Sequence, residues 1–74
     1  MTAAGHCVLL FHSVSQALLA EKVLKQEGIP HKVIPVPRQI SSDCGVCIRF
    51  EAASRERITS ALTGRVEVRE ICPL

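Results

Sequence analysis

Four cysteines stand at positions 7, 44, 47 and 72, and the middle two have chemistry written around them. Cys44 follows Ser41-Ser42-Asp43 and precedes Gly45, inside a polar stretch that begins at Pro35 and carries Arg38. A thiol attacks as its thiolate, and a nearby cation or helix amino end lowers the pKa that governs this form. Arg38 is such a cation and does not lose its charge. Gly45 beside the sulfur lets a backbone or a partner come close and permits a turn that other residues resist. Ser41, Ser42 and Asp43 bond readily to their own backbone and read first as builders of that turn. Cys44 is therefore the candidate working thiol, with Arg38 and Gly45 as its first supports and Ser41 and Ser42 as further ones.

Cys44-Gly45-Val46-Cys47 also spells C-x-x-C, which invites a redox pair or half of a zinc site. Redox pairs of this kind open a helix, whereas this one opens a strand-like run. Three residues of extended chain span roughly 10 Å, against a Cα separation of about 7 Å at most for a disulfide. Structural zinc needs four convergent ligands, usually from two such pairs, and the chain supplies one pair. A soft-metal or thiol-redox module using Cys44 and Cys47 is thus an alternative, and a non-catalytic interaction module is another. Cys7 and Cys72 read as small buried hydrophobes, neighbours at the far edge of the sheet. Of the scattered histidines 6, 12 and 31, His12 has the best position.

Positioning these residues requires a frame. Residues 7–11, Cys-Val-Leu-Leu-Phe, form a short apolar run closed by His12-Ser13 and predict a buried strand. Ser13 and Gln16 stand at capping-box spacing, so a helix is expected from Val14, with Ala17, Ala20 and Leu24 inward and an end near Glu27, before Gly28 and Pro30. Residues 31–36 are rich in β-branched side chains, and Pro35 suits an edge strand. Residues 46–51 alternate strictly, which turns Val46, Ile48 and Phe50 inward and Cys47, Arg49 and Glu51 the other way. Ser54 is placed to cap a second helix that buries Ile58, Ala61 and Leu62 and ends at Gly64. Residues 65–71 alternate again as a last strand, stopped by Pro73.

The order βαββαβ predicts an α+β domain of the ferredoxin-like type: one four-stranded antiparallel sheet in the order 4-1-3-2, with two helices on one face. In that topology the first strand ends, the first helix begins and the second strand turns toward the third, all at one edge. Cys44 is thereby expected near His12, Ser13 and the helix amino end, where about half a positive charge and unpaired amides favour an anion.

Composition narrows the function classes. At 74 residues the chain is expected to be one domain, 1–74, with residues 1–5 a loose leader. It is 47% hydrophobic, without Trp or Tyr and with two Phe, so its core is aliphatic. A net charge of +2, evenly spread, is no nucleic-acid footprint, and only Phe11 and Phe50 are available for base stacking. The longest apolar run is far short of the ~20 residues of a membrane span, and the start lacks a signal peptide's pattern. A cytoplasmic protein with reduced thiols is expected.

The stretch Pro35-x-Pro37-Arg38-x-Ile40-Ser41-Ser42-x-Cys44-Gly45, preceded by Phe11-His12-Ser13 and Ala17-x-x-x-Glu21-Lys22-x-Leu24-Lys25, resembles the selenium/sulfur carrier-like family of small bacterial proteins, classed as a domain of unknown function. The resemblance implies a relay, not a turnover enzyme, whose cysteine holds sulfur or selenium as a persulfide or selenosulfide. It would take that atom from a donor protein and hand it to an acceptor. Cys44 matches the family cysteine, and Gly45, Arg38, Ser41 and Ser42 match its neighbours, while Cys47 maps to no family position. No metal and no cofactor beyond the atom held on Cys44 are expected. Edge strands two and four leave pairing with another copy open.

Overall fold

The computed structural model describes residues 5–38, 40 and 45–74. Among them the chain forms β1 (His6–Leu10), α1 (Val14–Gln26), β2 (Lys32–Pro35), β3 (Val46–Glu51), a 3-10 turn (Ala52–Ser54), α2 (Arg55–Leu62) and β4 (Glu70–Pro73). The strands make one open antiparallel sheet in the order β2-β3-β1-β4, the expected order read from its other edge. The fold is thus α+β. Residues 1–4 of the expected leader, and Gln39, Ser41, Ser42, Asp43 and Cys44 of the connector, lie outside the described residues.

α1 begins where Ser13 takes extended backbone and its Oγ accepts from the Gln16 amide at 3.4 Å. The reciprocal half of the expected capping box does not form. Gln16 Oε1 accepts instead from the Glu67 amide at 3.2 Å, so a donor from far along the chain has displaced the local one. The helix closes as its sequence dictates: Gly28 adopts φ 70°, its amide returns to Lys25 O, and the Ile29 amide returns to Leu24 O. This is the Schellman pattern, with buried Ile29 packed in the same cluster as Leu24.

α2 departs further from expectation. Ser54 makes no side-chain capping bond and is itself nearly buried, because the chain enters α2 through the 3-10 turn. At the far end Gly64 takes φ 79°, and the amides of Arg65 and Val66 both return to Leu62 O. The alternating stretch 65–71 is not a strand throughout, since β4 starts only at Glu70. Val66 is core and Val68 packs against it. The alternation there serves packing of an irregular segment, not pairing. Pro73, expected to stop the strand, lies within it, which an edge position tolerates.

Two hydrophobic clusters flank the sheet. On the helix side, Leu9, Ile48 and Phe50 meet Ala17, Ala20 and Leu24 of α1 and Ile58 and Leu62 of α2. On the other face Val8, Leu10 and Cys47 are 0%, 1% and 0% exposed. Ile34, Val36, Ile40 and Cys72 pack against them, so part of their cover comes from the connector. Cys7 and Cys72 are neighbours on paired strands, with Cys72 opposite Val8 and Cys7 opposite Pro73, but the two thiols belong to clusters on opposite faces, and Cys72, unlike Cys7, is only half-buried.

The second cluster has a direct test. Leu10→Ala is expected to lower the unfolding free energy by about 2–5 kcal/mol, as for a core leucine. A loss within about 0.5 kcal/mol, typical of a surface site, in urea denaturation would show that the helix-free face is not a core.

Candidate functional site

The expected site lies where three connections converge. Leu9 stands opposite Ile48 and Pro35 opposite Val46, so the chain leaves β1, leaves β2 and enters β3 at one edge of the sheet. Leu10 stands opposite Glu70 and its carbonyl accepts from the Arg69 amide at 2.8 Å, which brings the start of β4 to the same edge. His12 and Ser13, both exposed, make the turn into α1 there.

The connector is held at its throat. The Val36 amide donates to Gly45 O at 3.3 Å, one step beyond the β2–β3 ladder, and the Ile40 amide donates to Pro37 O at 3.0 Å to close a turn around Arg38. Val36 and Ile40 pack down onto the helix-free face, a role that sequence reading missed although two aliphatic residues in a polar connector are a signal for it. Arg38 projects into solvent without an ion-pair partner among the described residues. Gly45 is exposed, its φ is not in the left-handed region, and an added Cβ would meet nothing within 4 Å. The expectation that a turn at 45 needs glycine is therefore not met. Cys44, Ser41 and Ser42, the remaining expected members, lie outside the described residues.

The other thiols have distinct surroundings. Cys7 is buried on the helix side. Cys47, fully buried, lies on the opposite face with its Sγ 3.9 Å from Pro35 O. Cys72 donates to Glu70 Oε2 at 3.3 Å. Burial raises its pKa most, and the Glu70 hydrogen bond and negative charge raise it further, against an opposing pull from Arg69. A thiol so placed is a poor nucleophile at neutral pH.

Among the described residues, no three His, Cys, Asp or Glu side chains converge as a metal site requires, and no helix is long and apolar enough to cross a membrane. An apolar cleft of about 200 Å³ opens between α2 and the β1–β4 side of the sheet, lined by Leu9, Ile58, Leu62, Val66 and Ile71 among others. It presents no titratable side chain and sits on the helix side of the sheet. It offers none of the chemistry expected of the connector.

Comparison with known proteins adds one family. The model of the family described as "Putative Se/S carrier protein-like" matches residues 6–73. The uncharacterized protein YtiA of Escherichia coli (strain K12) is 30% identical over 60 residues, which span 81% of this chain and 71% of the relative. No solved structure matches.

The thiol environments predict an order of labelling. With iodoacetamide at pH 8, followed by mass spectrometry, Cys7 and Cys47 are expected to react only once urea is added. Cys72 is expected to react more slowly than a model thiol, and Glu70→Gln to speed it, because removing the carboxylate eases formation of the thiolate. An unchanged rate in that variant would remove Glu70 as a cause.

Proposed function

The chain belongs to the Se/S carrier-like family, and from that membership we propose that it carries one sulfur or selenium atom on Cys44 and passes it between a donor and an acceptor protein. Loading begins with the Cys44 thiolate attacking the terminal sulfur of a donor persulfide. A new S–S bond forms on Cys44, the donor's S–S bond breaks, and the donor leaves as a thiolate. Delivery is the same exchange in reverse sense: an acceptor nucleophile takes the terminal atom and Cys44 returns to thiolate. The selenium version differs only in the atom transferred. The protein is thus a relay with donor and acceptor proteins as its partners, and it consumes no cofactor of its own.

The observation that carries this reading is the family match across nearly the whole chain, which covers the Arg38-to-Gly45 run. The connector's throat and the turn into α1 lie at the same end of the sheet, although Val36 and Ile40 pack on the face away from α1. The loaded form is a perthiolate, an anion. The exposed Arg38 guanidinium can offset it through charge-assisted hydrogen bonds, and the first-turn amides of α1 add the positive end of a helix dipole. His12 and Ser13 border the same turn, and Ser41 and Ser42 would supply short-range donors. Within this proposal the two helices over one face of a βαββαβ sheet are read as the ferredoxin-like arrangement, and a persulfide chemistry that needs reduced thiols suits the cytoplasm. The burial of Cys47 disfavours the paired-thiol alternative, since a redox partner or metal ligand must reach a second group.

Incubation with a cysteine desulfurase and cysteine or selenocysteine, followed by intact and peptide mass spectrometry, tests the proposal. One sulfur or selenium atom is expected on the peptide bearing Cys44, absent in Cys44→Ser, with slower loading in Arg38→Gln. Modification of another cysteine, or none, would defeat it.

A further inference from the structure

A group of basic side chains gathers at the opposite end of the sheet, where β2 begins and β3 ends. Lys32 and Arg49 are Cα partners across β2 and β3. Arg49 is two residues from Cys47 on β3, so both cations share the helix-free face. Both are exposed, and neither takes part in an ion pair among the described residues. Like charges directly opposite on neighbouring strands destabilise a sheet, so the fold carries here a repulsion that no ion pair among the described residues relieves. His6 of β1 stands opposite Glu51 and diagonal to Arg49, which adds a third basic side chain to the group.

These residues line one concave space. A cleft of about 310 Å³ is lined by His6, Lys32, Arg49, Glu51, Phe50 and His31 among others. His31 offers it no free donor: Nδ1 lies 2.7 Å from Ile29 O, and Nε2 lies 3.7 Å from Glu21 Oε2. Glu51 is the carboxylate of this lining, and its register partner is His6, not either fixed cation. The balance facing the cleft is two permanent positive charges and an imidazole against one carboxylate.

We infer that this cleft binds a tetrahedral oxyanion of the phosphate or sulfate class, held between Lys32 and Arg49 with His6 beside it. The inference stands apart from the carrier reading, since the cleft lies at the other end of the strands from the connector. Such an ion suits the group for two reasons. Arg49 can present two parallel N–H donors to two oxygens while Lys32 supplies a compact charge from the neighbouring strand. A double negative charge between them also turns their mutual repulsion into two attractions, which a singly charged planar carboxylate does less well.

Thermal unfolding and amide-resolved NMR titration of the full chain in sodium phosphate, in sodium sulfate, and in sodium chloride at matched ionic strength and pH provide the test. Phosphate and sulfate are expected to raise the unfolding midpoint saturably, beyond chloride, and to shift the amides of His6, Lys32 and Arg49. Lys32→Gln is expected to weaken the binding at least about tenfold, or 1.4 kcal/mol. In chloride alone it should raise the unfolding midpoint, because it removes the opposed charge. Arg49→Gln should behave alike, and if one variant fails to fold the other decides. Equal effects of chloride and phosphate, an unaltered phosphate affinity in Lys32→Gln, or a lowered midpoint of that variant in chloride would each overturn the inference.

Discussion

From Cys7 to Leu10, β1 is dry on both faces, and the layout of the domain follows from that condition. Leu9 points beneath the helices, while Val8 and Leu10 point away from them and are equally inaccessible. Leaving either set in water would forfeit about 1.5–3 kcal/mol for each aliphatic side chain, a large fraction of what a domain of this size has to spare. α1 and α2 cover one face, packed in a single cluster with Leu9, Ile48 and Phe50. On the other face no helix lies among the described residues, and the apolar cover includes Ile34 from β2, Cys72 from β4, and Val36 and Ile40 from the connector between β2 and β3.

This gives the connector two duties. Its aliphatic residues belong to the core, and its polar ones include the run that resembles a carrier site. The connector is tied at its throat by the Val36–Gly45 bond and anchored at Ile40. A loop with an apolar underside can hold Arg38 in solvent at a fixed place on the sheet edge without a scaffold of its own. In a chain of 74 residues that economy matters, since every residue of loop that does no packing weakens a small core further.

Surroundings sort the cysteines by reactivity more sharply than their spacing does. Cys7 and Cys47 are withdrawn by burial on opposite faces, and Cys72 is held in its protonated form by desolvation and by Glu70. The C-x-x-C spacing therefore carries less meaning than it seems to on paper. Strand parity sends Cys47 into the sheet face, and the connector's own aliphatic residues pack over that face.

Much of the frame was legible from neighbours along the chain. The span of α1, its Ser13 cap and its Gly28 close, the alternation of β3, and the element order that yields the sheet all rest on local chemistry and periodicity. So does the gathering of the turn at His12 and the β2–β3 connection at one edge, which follows from the order of the elements. Two of the departures, at Gln16 and at β4, share one physical cause, which is competition from residues far away in sequence. Gln16 abandoned its local capping partner for an amide 51 residues on. Ser54 gave up its cap because the 3-10 turn buried it, and β4 began late because Val66 and Val68 were wanted in the core. Periodicity states which residues seek cover, and so the sequence determined the elements and their apolar faces. Only tertiary structure decided what covers each face, because that depends on which distant groups arrive when the chain closes on itself.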